Sequence, residues 1–202
     1  MARAGITPER AAEVGAALAD ELGFDAVTVA EVARRFGVKT PSLYSHVAGS
    51  ADLRTRVTLL ALEELADRVS ERIVGRSGKE ALAGLANAYR DYAHEHPGRF
   101  AATLAVVDTE TAAASAGPRH AQLTAAVLRG YNLPEAAHVH AIRMLGSTVR
   151  GFITLEMSGS FDHSSPDPDS SWLVAIDALD TLMRNWPVGP STPASSTKNG
   201  HE

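Results

Sequence analysis

The 202-residue sequence contains no cysteine, which excludes disulfides, thiolate nucleophiles and cysteine-ligated metal or cluster sites. Aromatic residues make up only 5%, and β-branched residues rarely alternate with polar ones, so the period-two signature of strands is nearly missing. No apolar run approaches the ~20 residues that a membrane span requires, and the N-terminal "MARAGITPER" lacks the apolar core of a signal segment. A soluble cytoplasmic protein without a membrane partner is the expectation. The formal net charge is −5, so a general basic coat for nucleic acid is absent and any such contact must come from a local patch. What is plentiful is hydrophobic residues, 45% of the chain, enough for one sizeable core or two small helical ones that share a helix.

These apolar residues recur at helical spacing throughout, and the sequence reads as all-α with about nine helices. The first predicted helix opens at Thr7 with Pro8 at its first position, carries Ala11, Val14, Leu18 and Leu22, and stops at Gly23. The second opens at Thr28, with Glu31 placed to reach back in a reciprocal capping box, buries Val29, Val32, Ala33 and Phe36, and ends at Gly37. A short polar third helix, Thr40 to Val47, is held by Leu43 and Val47. The fourth, Ser50 to Ile73, carries two apolar sets, Leu53/Val57/Leu60 and Leu62/Leu65/Val69/Ile73. At about 100° per residue these point to roughly opposite sides, so each end is expected to dock on a different body.

Further on, Ser77 and Glu80 form a second candidate capping box, opening a helix with Leu82, Leu85, Tyr89, Tyr92 and His96 that Pro97-Gly98 breaks. A short apolar helix (Phe100, Leu104, Val107), a loop around "TETAAASAGP", a helix with Leu123, Val127 and Tyr131, one from Pro134 to Ser158 and a last from Pro168 to Trp186 complete the pattern. The expected organisation is one helical unit over 1–55, a second helical unit over 56–188, and a disordered low-complexity tail over 189–202.

The chemistry concentrates in "GVKTPSLYSHVAGSADL", which packs Lys39, Thr40, Ser42, Tyr44, Ser45 and His46 into eight positions and has no acidic residue from Lys39 to Ala51. The first three helices match a tri-helical helix-turn-helix unit, whose second motif helix enters the major groove. Lys39 suits phosphate or guanine acceptors, Thr40 and Ser42 suit base edges, Pro41 and the Thr40 methyl suit a thymine methyl, and Tyr44 and His46 suit phosphate oxygens. The N–H groups opening the second and fourth helices add anion sites. The candidate DNA-binding residues are therefore Thr28, Lys39, Thr40, Pro41, Ser42, Tyr44, Ser45, His46 and Ser50. The competing reading is a polar surface helix on an ordinary bundle.

The stretch "TVAEVARRFGVKTPSLYSHV" resembles the N-terminal DNA-binding domain of the TetR (tetracycline-repressor-like) family, with Thr28, Ala30, Ala33, Gly37, Val38, Pro41, Leu43, Tyr44 and His46 in place, over about residues 7 to 55. The stretch "RMLGSTVRGFITLEMSGSF", followed by "SSWLVAIDALDTL", resembles the WHG type of C-terminal domain, with Arg150 where a histidine is common. The resemblance implies a homodimer on a double-stranded, palindromic DNA operator and a small-molecule effector in the C-terminal domain that changes DNA affinity, as in a repressor. Family members often have lysine where Ser50 stands, meeting the DNA backbone. Neutralising one fewer phosphate per subunit lowers the salt slope by about 0.9, although Arg54, one turn along, offers a substitute.

Candidate effector-lining residues are Tyr89, Tyr92, Phe100, Met144 and Trp172, with Arg143 and Ser147. The last two belong to a polar stripe, Arg143, Ser147, Arg150 and Thr154, that either faces solvent or lines a pocket for an acidic ligand. The two terminal helices are expected to build a four-helix dimer interface through Val149, Phe152, Ile176, Leu179 and Met183, with Gly146 and Gly151 allowing close approach. His94/His96 and His138/His140 are two apart, on opposing sides of a helix, and cannot clasp one metal ion. Glu156 continues an apolar row and calls for an arginine partner. No catalytic grouping, metal site or cofactor loop stands out, and Asp108 and Glu110 are a loop pair. The alternative function is a helical ligand-binding or interaction protein with weakened DNA binding.

Overall fold

The computed structural model describes residues 5–187; the expected tail at 189–202 lies outside them. Nine α-helices and no strand are present among the described residues: α1 (Pro8–Leu22), α2 (Val29–Phe36), α3 (Ser50–Ile73), α4 (Gly78–Glu95), α5 (Pro97–Ala102), α6 (Thr109–Ala114), α7 (Gly117–Leu128), α8 (His138–Met157) and α9 (Pro168–Arg184). No described helix is long and apolar enough to cross a membrane.

Local chemistry accounts for several helix ends. The Thr7 hydroxyl accepts the Arg10 N–H at 3.2 Å and Pro8 occupies the first turn, where its missing N–H leaves nothing unpaired. The α2 helix ends on Gly37 in the left-handed region (φ 69°), with Gly37 and Val38 N–H groups returning to Ala33 and Arg34 carbonyls, the arrangement glycine permits at a helix C-terminus. Asp108 and Asp167 cap α6 and α9 by accepting from Thr111 and Ser170 N–H.

Four expectations are corrected. The third predicted helix is a 3₁₀ turn at Thr40–Ser42 followed by hydrogen-bonded turns, closing with Val47 N–H on the Leu43 carbonyl. Pro41 explains this: it disfavours helical geometry at Thr40 and brings no N–H of its own. Ser77 precedes α4 but its side chain makes no capping bond. The "TETAAASAGP" stretch holds α6 instead of a loop, because Asp108 supplies the cap. Finally, the segment after Pro134 opens as a 3₁₀ turn (Glu135–Ala137) before α8 begins.

Two cores result, and α3 serves both. Leu53, Val57 and Ala61 pack with Ala11, Leu18, Val29, Val32, Leu43 and Val47, whereas Leu65 and Val69 pack with Leu82, Leu85, Tyr92, Leu145, Trp172 and Met183. The side of α3 that is buried changes at Ala61–Leu62, where Leu62 and Ala66 meet Ala116. This is the reversal that the apolar sets foretell, and the first core extends past residue 55 to Ala61.

The two bodies are locked at α5. Gly98 lies against the α1 backbone so closely that a Cβ there would sit 1.9 Å from the Ala19 carbonyl oxygen. Asp20 on α1 accepts the Arg99 N–H at 2.9 Å and lies 3.2 Å from His96 Nδ1. Arg99 reaches Glu64 on α3 at 3.2 Å, and the Tyr92 hydroxyl donates to the same carboxylate at 2.8 Å. Burial, then the Glu64 bond, raises the Tyr92 phenol well above its ordinary value.

Candidate functional site

At the N-terminal end, buried Leu43 and Val47 pin the short segment to the first core, and its polar side chains face outward. Lys39, Pro41, Ser42, Tyr44 and Ser45 are exposed, Tyr44 by 59%, while Thr40 and His46 are half-buried. Ser45 spends its hydroxyl hydrogen on the Ser42 carbonyl at 2.9 Å. The surface is thus a protruding ridge of one cation, hydroxyls, a phenol and an imidazole, with no carboxylate between Lys39 and Ala51.

The start of α2 differs from expectation. Thr28 Oγ1 accepts the Glu31 N–H at 3.2 Å, and Ser50 Oγ, from the start of α3, accepts the Val29 N–H at 3.1 Å. Two of the amides expected to meet an anion are therefore satisfied within the chain, and Ser50 is a capping residue for α2. Nor does Glu31 reach back to complete a capping box: its carboxylate bonds Arg34 Nε at 3.0 Å, an exposed pair one turn on. The start of α3 is open by contrast. Its first internal bond is Leu53 N–H to the Gly49 carbonyl, Gly49 provides no side-chain cap, and the Ser50, Ala51 and Asp52 amides begin the helix beside the ridge. The Asp52 carboxylate accepts the Ala48 N–H at 2.8 Å and the Arg56 Nε–H at 3.0 Å. Arg54 lines a shallow cleft with Phe24, Asp25 and Val106.

At the C-terminal end the expected effector residues separate. Phe100, Tyr92 and Trp172 are buried in cores, Trp172 donating its indole N–H to Asn87 at 2.8 Å, and Met144 is exposed. Tyr89, Arg143 and Ser147 instead share an open cleft of about 280 Å³ between α4, α7 and α8, together with His120, Thr124, Gly146 and Arg150. The His120 ring has two partners: Nε2 faces the Leu62 carbonyl of α3 at 2.9 Å and Nδ1 faces the Tyr89 hydroxyl at 2.7 Å. A carbonyl only accepts, so Nε2 carries the hydrogen and Nδ1 accepts from the tyrosine. Burial holds the imidazole pKa down, outweighing the Leu62 bond, with Arg150 and Arg119 acting in the same direction as burial. His120 was missed by sequence reasoning, although its spacing with Thr124 and Val127 places it on the buried face of α7.

The expected dimer residues point the wrong way. Val149, Ile176, Leu179 and Met183 are buried in the subunit's own core and Phe152 packs against it, between Phe161 and Trp172. The apolar stripes on α8 and α9 exist as the sequence implies but serve the interior. The outward faces carry Val139, Met144 and Leu155 on α8 and Leu173 and Val174 on α9 instead, Leu173 and Val174 being 65% and 68% exposed. A Cβ at Gly146 or Gly151 would touch nothing within 4 Å, so no packing inside the subunit calls for either glycine.

Glu156 has its arginine. Arg90 Nε donates to it at 2.9 Å and Nη2 donates to Asp169 at 2.7 Å, with the guanidinium over the Trp172 ring. The hydrogen bond from Arg90 holds the Glu156 carboxyl below its ordinary range despite burial. His94 Nε2 approaches Glu156 at 3.4 Å and His96 faces Asp20; no group of three or more possible metal ligands occurs among the described residues.

Comparison with known proteins agrees with both ends. Residues 12–53 match the family described as bacterial regulatory proteins, tetR family, and residues 82–179 match the tetracyclin repressor-like C-terminal domain. The chain is 36% identical over 152 residues, 73% of its length and 69% of the relative's, to the HTH-type transcriptional regulator Rv0681 of Mycobacterium tuberculosis. It is 29% identical over 160 residues, 79% of its length and 84% of the relative's, to the HTH-type transcriptional regulator YobS of Bacillus subtilis. The fold is similar to that of the TetR Q116A variant from Acinetobacter baumannii AYE in complex with minocycline, with TM-score 0.68, 18% identity, and 91% and 100% of the two chains covered. It is also similar to a protein of unknown function from Rhodococcus sp. RHA1, with TM-score 0.73, 18% identity, and 90% and 97% covered. With an outward polar ridge on a helix-turn-helix body, a second helical body beyond α3, and these relatives, the chain belongs to the TetR family of transcriptional regulators, with a DNA-binding N-terminal domain.

Proposed function

We propose that the protein is a ligand-responsive repressor that binds a palindromic operator as a homodimer. The observation that carries this reading is the ridge at Lys39–His46: Leu43 and Val47 anchor it, its polar groups face solvent, and the open α3 amides lie beside it. Lys39, Thr40, Pro41, Ser42 and Tyr44 are the groups we assign to DNA, with His46 and Ser45 at the edge. Thr28 and Ser50 act by holding the start of α2 in place. Residues 1–55, with the core reaching Ala61, form the DNA-reading unit, and 56–188 form the effector and dimer unit.

Dimerisation is assigned to the exposed faces of α8 and α9, through Met144, Leu155, Leu173 and Val174, with Gly151 permitting close helix approach. Two-fold pairing presents two ridges to half-sites with centres about 34–36 Å apart, or a little more. The effector cleft is the one between α4, α7 and α8. The α3 helix, anchored in both cores, is the lever by which an occupied cleft changes the separation of the ridges. Driving a 99:1 population to 1:99 requires about 5.5 kcal/mol of differential affinity.

Footprinting on the DNA upstream of the protein's own gene tests this reading. Two protected half-sites related by a dyad are the expected result. Protection that is absent, with and without candidate effectors, would instead support a helical ligand-binding or interaction protein with weakened DNA binding, for which the −5 net charge and the serine at position 50 speak.

A further inference from the structure

The cleft between α4, α7 and α8 is unusual in its charge. Its lining includes Arg143 and Arg150 and no carboxylate, in a protein with five more acidic than basic side chains. Most arginines around it are committed: Arg119 on α7 to Glu63 and Asp67, Arg90 to Glu156 and Asp169. Arg150 is not. Among the described residues its Nε is buried without a hydrogen-bond partner, and its one polar contact is a long 3.4 Å approach of Nη2 to the Tyr89 hydroxyl, with the guanidinium stacked over the Tyr89 ring. A buried, unpaired guanidinium N–H is costly, and Tyr89 alone, by its ring and one long hydrogen bond, holds Arg150 there. A negatively charged acceptor suits such an N–H best.

The walls define what carries that charge. Arg143 lies two turns back on the same helix and Ser147 between them, so a cation, a hydroxyl and the guanidinium fork line one side. Ile142, Ala121 and the methyl of Thr124 supply apolar surface. Gly146 faces open space, so the absence of a side chain there is what leaves the cleft room. About 280 Å³ is at the small end of ligand sites, sufficient for a compact body on a charged head. Planar carboxylates match the two parallel N–H vectors of an arginine.

We propose that this cleft binds a small organic carboxylate, with Arg150 as the fork that grips it, Arg143 at the rim and Gly146 as the space for its body. The inference deepens the effector reading above and rests on it only for the consequence on DNA. That consequence has a route. Arg150 touches Tyr89, the Tyr89 hydroxyl donates to His120 Nδ1, and His120 Nε2–H donates to the Leu62 carbonyl, at the point where α3 passes from one core to the other. A carboxylate that draws Arg150 off Tyr89 releases the first link of a chain ending on the lever helix. Tyr89 and His120 are positioning residues in this scheme.

The test uses the full chain without DNA. Acetate, benzoate and octanoate are titrated by calorimetry and thermal shift, with benzamide and octanol as uncharged counterparts and inorganic phosphate as a separate arm. Saturable binding of benzoate or octanoate, absent for the uncharged compounds, is expected. Arg150→Met should weaken it about tenfold or more. Gly146→Leu should abolish it while leaving thermal stability at or above wild type, since glycine is a poor helix former and nothing lies within 4 Å of the added Cβ. Failure of every carboxylate to bind, equal binding of the uncharged compounds, indifference to Arg150→Met, or a preference for phosphate would each overturn the assignment. DNA retention measured in parallel separates the two readings. Intact DNA binding without carboxylate binding sinks only the cleft, whereas Arg150-dependent carboxylate binding without DNA retention sinks only the regulator. Tyr89→Phe should lose the carboxylate's effect on DNA; an undiminished effect would refute the route through His120.

Discussion

Gly98→Ala is expected to be among the most damaging single-methyl changes in the chain. An added Cβ would lie 1.9 Å from the Ala19 carbonyl oxygen, 2.0 Å from its carbon and 2.6 Å from the Asp20 nitrogen. All three are α1 backbone atoms, which no rotamer change can move. Restoring a normal separation of about 3.5 Å requires α5 and α1 to part by roughly 1.5 Å. The Asp20 carboxylate then loses the Arg99 N–H it holds at 2.9 Å, since a bond stretched that far ceases to count. Overpacking of this kind costs about 1–3 kcal/mol, and a hydrogen bond to a charged group about 1.5–3, so about 3 kcal/mol or more is expected. In a chain of this size that lowers Tm by about 6–12 °C. Circular dichroism melts of the wild type and variant give the value directly, and a parallel DNA titration reports whether loosening α5 from α1 also weakens the hold on DNA. A melting temperature within about a degree of the wild type would refute the claim that this contact locks the two bodies.

Other consequences follow from single contacts. Ser50→Ala removes the acceptor for the Val29 N–H and should cost about 1 kcal/mol, read as a lower urea midpoint; no change would mean that the cap is idle. Arg90→Met leaves the Glu156 carboxylate buried without its partner, the two side chains being 14% and 9% exposed, and should cost about 3 kcal/mol; the double change with Glu156→Leu should recover much of it. Glu156 and Asp180 both have lowered pKa values, Asp180 because the bonds from Arg184 and Tyr131 overcome its burial. Their contribution to stability is complete above the unfolded values near 4 and is lost as pH falls through the depressed folded values, so Glu156→Gln should flatten the acid limb of a stability–pH curve. His120 is held neutral by burial. Its contribution is complete above about pH 6.5 and declines as pH falls from there, and His120→Gln should make stability fall less steeply between pH 7 and 5 than in the wild type.

Much of the fold was legible because helix ends and apolar periods are local. Thr7-Pro8, Gly23, Thr28 and Gly37 mark their helices, and the two apolar sets of α3 foretell its two partners. The 3₁₀ turn at Thr40–Ser42 was not legible, since Pro41 there reads equally as a first-turn proline. Stripes also cannot say what covers them. Val149, Ile176, Leu179 and Met183 are apolar at helical spacing whether they meet α4 or another subunit, and only the positions of α8 and α9 against the second core decide it. The outward row of α8 is weaker in sequence because Thr148 and Gly151 stand between Met144 and Leu155. Ser50 reads as a missing phosphate anchor, and its role in capping α2 depends on a partner 21 residues away. His120, lone and polar in the α7 sequence, gains its meaning from Tyr89 and Leu62, which are remote in the chain and adjacent in space.

The most direct measurement is fluorescence anisotropy of the protein with a duplex from its own upstream region and with a scrambled duplex, across a salt series, for the wild type, Lys39→Ala and Tyr44→Phe. Preference for the native duplex is expected in the wild type. Lys39→Ala should weaken binding and lower the slope of log affinity against log salt by about 0.9 for each phosphate no longer neutralised, and Tyr44→Phe should weaken binding without unfolding. Equal, weak affinity of the wild type for both duplexes, or variants that bind as the wild type does, would contradict the assignment of the Lys39–His46 ridge to DNA.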